Sequence, residues 1–70
     1  MVTIFWGNKD QFERIGFCSK DDAMGIMVEF LKEKGIEVPY IRSWTENGIT
    51  YYDYGDWSCF CYTVPFYLSL

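Results

Sequence analysis

The residues whose chemistry is easiest to name are three cysteines and a pair of aspartates. Cys59-x-Cys61 would place two thiols on one face of a strand, with Cys18 as a conceivable third ligand. A structural zinc takes four nitrogen or sulfur ligands, and the chain holds neither a histidine nor a fourth cysteine to complete that set. The thiols therefore read as small buried apolar groups kept reduced, with a redox or metal role as the weaker reading. Asp53 and Asp56 are spaced closely enough to act as paired carboxylates in acid–base work or around a divalent cation. Each has a structural explanation instead: Asp53 faces Arg42 across a hairpin, and Asp56 belongs to a Gly-Asp turn. The lack of histidine removes the usual general base and every Ser-His or Cys-His dyad. Glycines occur singly, so there is no phosphate-cradling loop. The chain thus predicts no enzyme, no cofactor and no metal.

Charge narrows the partner. Six Lys plus Arg stand against ten Asp plus Glu, for a net charge of -4. Neutralised phosphates supply most nucleic-acid affinity, so an acidic chain with scattered basic residues is not expected to bind DNA or RNA directly. It suits a basic groove on a protein better, as a steered partner or a nucleic-acid mimic. Met1-Val2-Thr3 lacks a basic leader region and no apolar run approaches a membrane span, which predicts a cytoplasmic protein with no membrane contact.

Seventy residues make one domain, 1–70, near the lower limit for folding without staples. An aromatic content of 21% offsets that limit, because each ring buries on the order of 150–250 Å². Val2 to Trp6 alternates as a first strand, Gly7-Asn8-Lys9-Asp10 supplies turn residues, and Phe12 to Cys18 reads as a second strand. On that strand Glu13, Ile15 and Phe17 would share one side, with Gly16 marking a bulge or a close approach of a helix. Ser19 opens the helix, its side chain expected to accept from the backbone N–H of Asp22, and Gly35 closes it in the left-handed position. Ala23, Met27, Phe30, Leu31 and Lys34 form one stripe, widened by Met24, Ile26 and Val28, so the helix should lie on a sheet.

Asn47-Gly48 asks for a two-residue type I′ turn, and that turn sets a register. Thr45 then faces Thr50, Trp44 faces Tyr51, Ser43 faces Tyr52 and Arg42 faces Asp53, and the Thr–Thr, aromatic–aromatic and opposite-charge pairs among them are combinations that stabilise antiparallel strands. A second two-residue turn at Gly55-Asp56 would set Tyr52 against Cys59 and run the fifth strand from Trp57 to Val64, ended by Pro65. The order is ββαβββ, an α+β fold with a single helix packed on an antiparallel sheet. The apolar run Phe66-Tyr67-Leu68-Ser69-Leu70 should pack back on the sheet or onto a second subunit.

Two faces follow from the register. One collects Arg42, Trp44, Tyr51, Asp53, Phe60, Tyr62 and Val64; the other collects Ser43, Thr45, Thr50, Tyr52, Tyr54, Trp57, Cys59, Cys61 and Thr63. The bulkier first face is expected beneath the helix, which would leave Tyr52, Tyr54 and Trp57 on the open one. Tyr and Trp pair apolar area with a polar tip and are enriched at protein contacts. The expected partner-binding surface is therefore Tyr52, Tyr54 and Trp57, with Glu46, Asp53 and Asp56 adding negative charge at the hairpin ends.

Phe30-Leu31-Lys32-Glu33-Lys34-Gly35-Ile36, Pro39-Tyr40-Ile41-Arg42-Ser43-Trp44 and Asp53-Tyr54-Gly55-Asp56-Trp57-Ser58-Cys59-Phe60 together resemble small proteins of phages and prophages of Gram-positive bacteria. Those carry a helix ending in Gly, a Pro-Tyr-x-Arg lead into a strand, and an Asp-Tyr-Gly turn before an aromatic strand. The resemblance implies an accessory phage protein made in the host cytoplasm and transfers no catalytic residue. Size and acidity also resemble anti-CRISPR and other anti-defence inhibitors. The function expected from all this is a non-catalytic inhibitor whose partner is a host or phage protein, foremost one belonging to a host nucleic-acid-handling complex. The alternative is a homodimeric phage assembly protein whose aromatic face is buried against its own copy.

Overall fold

The computed structural model describes residues 1–7, 10–55 and 59–65. Five strands and one helix follow in the order expected: β1 (Val2–Gly7), β2 (Phe12–Cys18), α1 (Lys20–Glu33), β3 (Arg42–Glu46), β4 (Ile49–Asp53) and β5 (Phe60–Pro65). All five strands join one antiparallel sheet, in the spatial order β2-β1-β5-β4-β3. The first strand therefore sits inside the sheet, paired with its hairpin neighbour on one side and the last strand on the other. Asn8, Lys9, Asp56, Trp57 and the run 66–70 lie outside the described residues, and with them the expectations placed on the first turn, on Asp56 and Trp57, and on the C-terminal run.

The β3–β4 hairpin has the register that Asn47-Gly48 implied, from Arg42 opposite Asp53 to Thr45 opposite Thr50. Both turn residues have positive φ, 53° at Asn47 and 82° at Gly48, as a type I′ turn requires. The β4–β5 register differs from expectation by two residues, with Tyr52 opposite Cys61 rather than Cys59. The fifth strand begins at Phe60 rather than Trp57. The cause is local. Asp53 Oδ1 accepts from the backbone N–H of Gly55 at 3.0 Å, closing an Asx-type turn that ends β4 in place of a tight hairpin. A slip of two residues keeps every side chain on its face, so the division into two faces survives.

At β2 a one-residue irregularity does change a face. Ile4 lies opposite Gly16 and Phe5 opposite Arg14, which leaves Ile15 as the extra residue of a bulge. Glu13 and Ile15 stay on the helix side, while Phe17 is carried to the opposite side, 42% exposed. The three do not share a side as the simple alternation suggested.

The helix covers the face opposite to the one expected. Its buried residues Ala23, Met27 and Leu31 pack with Val2, Ile4, Tyr52, Tyr54 and Cys61. Bulk pointed the wrong way because close packing needs small side chains among the large rings, so that the helix can approach the sheet. Cys61 and Thr63 provide them, flanked by Ile4 and Trp6 of β1, which lie directly opposite Thr63 and Cys61. This choice also keeps the Arg42–Asp53 ion pair out of the core, where it would lose hydration. The apolar stripe of the helix is narrower than its composition suggested, with Met24 and Ile26 exposed.

The helix ends show one expected device and one altered one. Gly35, φ 77°, follows the C-cap Lys34; its N–H bonds the Lys32 carbonyl, and that of Ile36 bonds the Leu31 carbonyl, a complete Schellman motif. At the start Ser19 is the N-cap, yet its side chain caps no backbone N–H. Its Oγ donates instead to the Asp22 carboxylate at 2.9 Å, and the Asp22 N–H bonds the Ser19 carbonyl at 3.2 Å.

Candidate docking face

The sheet face turned away from the helix carries a chain of rings that crosses all five strands. Direct cross-strand partners share a face, so Trp44, Tyr51, Tyr62 and Phe5 stand in one row across β3, β4, β5 and β1. Phe12 of β2 extends it at the far edge. Trp44 stacks on Tyr51 with centroids 5.7 Å apart, Tyr51 meets Tyr62 at 6.1 Å, and Tyr62 stacks on Phe5 at 5.1 Å. Phe5 meets Phe12 edge-on at 5.3 Å. Phe60 fills the angle between Tyr51 and Tyr62, at 6.1 and 5.7 Å. Spacings of this size are those of attractive ring pairs. The row spans four inter-strand gaps, roughly 19 Å.

Each ring is held by its neighbours but remains open to solvent on its outer side. Trp44 is 46% exposed and Phe12 66%, while Phe5, Tyr51, Phe60 and Tyr62 are half-buried. Burial, then the adjacent Tyr51, raises the pKa of the Tyr62 phenol above its ordinary value. The charges that share this face balance. Among the described residues, Arg14, opposite Phe5, and Arg42 are matched in number by Glu46 and Asp53, with Arg14 and Glu46 at opposite edges of the sheet. Arg42 Nη2 donates to Asp53 Oδ2 at 2.7 Å. That bond, then the one from the Gly55 N–H, holds the Asp53 carboxyl below its usual range. The acidic excess of the molecule therefore lies elsewhere; over residues 20–37, for example, Asp21, Asp22, Glu29, Glu33 and Glu37 outnumber Lys20, Lys32 and Lys34. The row is an apolar, electrically neutral surface.

Of the residues expected to bind a partner, the structure puts two in the core. Tyr52 and Tyr54 are 6% and 2% exposed beneath the helix and its following segment. The Tyr54 hydroxyl accepts from Trp6 Nε1 at 2.8 Å, which satisfies the polar tip that suggested a docking role. Glu46 and Asp53 do lie at the edge of the open face, and Asp53 is neutralised by Arg42. Trp57 and Asp56 lie outside the described residues. The rings that the expectation missed are Trp44, Tyr51, Phe60 and Tyr62, placed on the right face but wrongly put under the helix, together with Phe5 and Phe12. Phe5 and Phe12 become legible only once β1 is known to pair with β5.

Cys18 and Cys61 are placed as packing groups rather than as reactive thiols. All three cysteines are unbridged, Cys61 is fully buried, and Cys18 is nearly so. Burial, then the neighbouring Cys59, pushes the Cys61 thiol up to about 12, and burial followed by Asp22 raises Cys18. A nucleophilic or metal-binding cysteine needs the opposite shift. Among the described residues no three His, Cys, Asp or Glu side chains gather in a metal-binding group, and no helix is long and apolar enough to cross a membrane.

No family model, curated protein or solved structure matches the chain.

Proposed function

We propose that this is a non-catalytic binding protein that docks on another protein through the ring row Phe12-Phe5-Tyr62-Tyr51-Trp44. The observation that carries the reading is the continuity of that row: five strands each contribute a ring to one face that no element of the described chain covers. Isolated surface rings are ordinary on small sheets, whereas a contiguous apolar patch is a mark of interaction surfaces. The face around the row, five or so residues of each strand with its charged residues included, covers roughly 300–400 Å². That is about half of what one partner buries in a standard interface, with the rings at its centre and the charges around them. Arg14, Arg42, Asp53 and Glu46 supply the rim.

The partner fitted to this face is a protein presenting aliphatic or aromatic side chains. Single strands of nucleic acid also stack on sheet rings, but they need a positive groove along the backbone. Here two arginines are balanced by two carboxylates, and the chain carries -4 overall. Following the resemblance to phage accessory proteins, the partner belongs to a host complex that handles nucleic acid, and the effect of docking is inhibition. The net charge of -4 then favours encounter with a basic partner, and the ring row makes the contact.

The test compares the native chain with Phe12→Ala/Tyr51→Ala as bait in a bacterial lysate, then measures the recovered protein, purified, by calorimetry. The double variant should bind at least about tenfold more weakly, the loss typical of removing central aromatic anchors, with an unchanged circular dichroism spectrum. Undiminished binding by the variant would refute the ring row as the contact. Saturable binding of a single-stranded oligonucleotide at physiological salt would refute the choice of a protein partner.

A further inference from the structure

The sheet ends at β3, and that edge is built differently from the one at β2. The β2 edge carries the bulge at Ile15, a common device that spoils pairing with another chain. β3 has no bulge, no internal proline and no lysine, and all five of its residues are exposed. In a two-residue hairpin the residues flanking the turn exchange both backbone hydrogen bonds, so Glu46, Trp44 and Arg42 bond inward to β4. Ser43 and Thr45 therefore direct their N–H and C=O groups outward, toward the open edge.

The five residues Arg42-Ser43-Trp44-Thr45-Glu46 are self-complementary when read antiparallel. Centred on Trp44, Arg42 of one copy meets Glu46 of the other, twice, and Ser43 meets Thr45. Trp44 meets its own counterpart at a non-hydrogen-bonded position, where side chains come closest. The outward-facing Ser43 and Thr45 are the residues that this register needs for its hydrogen bonds, and it forms four between the chains. Registers centred on Ser43 or Thr45 also pair outward groups but set Arg42 or Glu46 against Trp44, with no charge matched. Glu46 makes no ion pair among the described residues, its cross-strand neighbour being Ile49. Arg42 spends one guanidinium nitrogen on Asp53 and has further donors for a second carboxylate.

We propose that β3 pairs with β3 of a second copy, antiparallel about Trp44, to make a symmetric dimer with one continuous ten-stranded sheet. The two-fold axis stands perpendicular to the sheet, because like side chains meet on one face. Both helices then lie on the same side, and the ring row of one copy continues through the Trp44 pair into that of the other. The dimer doubles the open face rather than covering it, which separates this contact from a face-to-face association and leaves the docking surface available.

Sedimentation equilibrium of the full chain tests the proposal. The native protein should show a concentration-dependent rise toward twice its mass of 8.3 kDa. Glu46→Arg sets Arg42 against arginine at two places and should weaken association about tenfold, and Arg42→Glu/Glu46→Arg should restore it. Trp44→Cys should form a disulfide with its own copy on mild oxidation, mapped by mass spectrometry, whereas Arg42→Cys should not, since its counterpart would lie several residues away. A strict monomer overturns the proposal. So does a dimer that is indifferent to Glu46→Arg yet lost in Phe12→Ala/Tyr51→Ala, which would place the contact on the open face. The disulfide decides the register even if the charge variants fold poorly: cross-linking at position 42 and not at 44 refutes it.

Discussion

Cys61 has no exposed surface, and its neighbours Ile4, Tyr52 and Trp6 leave no charge to stabilise a thiolate. Its pKa is raised from 9.0 to about 12, first by burial and then by Cys59. The sign of the stability effect follows. The fold favours the neutral thiol, so this contribution is fully present below pH 9.0, and it is lost as pH climbs toward 12 because the unfolded chain ionises first. Each pH unit in that window removes at most about 1.4 kcal/mol. Tyr62 and Cys18, whose pKa values are also raised, act in the same direction. Urea midpoints measured across the alkaline range should fall steadily in the native protein. Cys61→Ala should start lower at neutral pH but fall less steeply, and an equal slope would assign the alkaline loss to other groups. The same burial means that native Cys61 should resist alkylation at neutral pH and react only on unfolding.

Among the elements, the β3–β4 hairpin was the most legible, because everything that sets it is within twelve residues. Asn47-Gly48 fixes the turn, and the Thr45–Thr50, Trp44–Tyr51 and Arg42–Asp53 pairs each add a favourable contact at the register it dictates. Gly48 has φ 82°, where a Cβ is penalised, so Gly48→Ala should cost about 1–2 kcal/mol. The check is a thermal melt, read alongside an exposed control such as Glu37→Ala that should move little. An unchanged melting temperature in Gly48→Ala would mean that the hairpin contributes nothing to stability. The β4–β5 connection was less legible, since whether Asp53 pairs across the strand or caps Gly55 is not decided by residue type; in the structure it does both. The bulge at Ile15 was foreshadowed by Gly16, but its consequence, the transfer of Phe17 to the other face, was not.

For the molecule as a whole, the order of elements and the composition of each face of the β3–β4–β5 part could be read from sequence, but which face meets the helix could not. That choice depends on β1, which enters the sheet between β2 and β5 and brings Ile4 and Trp6 to the side of Tyr52 and Cys61. Nothing in the local pattern of Val2 to Trp6 says which strand it will pair with, so the core rings Tyr52 and Tyr54 passed for surface rings. One bond records the joining of the two halves: Trp6 Nε1 donates to the Tyr54 hydroxyl at 2.8 Å, across 48 residues of chain. Tyr54→Phe leaves that partly buried indole N–H without its acceptor and should cost about 1–3 kcal/mol. Trp6→Phe removes the donor. Because the two groups act on each other, the double variant should be less unstable than the sum of the singles by about 1 kcal/mol. If β1 is integral to the sheet, the loss moves one cooperative transition, and far-ultraviolet circular dichroism and near-ultraviolet aromatic signals coincide in every variant. Additive losses would mean that the bond itself contributes nothing to stability, and an aromatic transition that precedes the loss of secondary structure would mean that the N-terminal hairpin and the β3–β4–β5 meander unfold separately, contrary to the shared core through Ile4, Leu31, Tyr54 and Cys61.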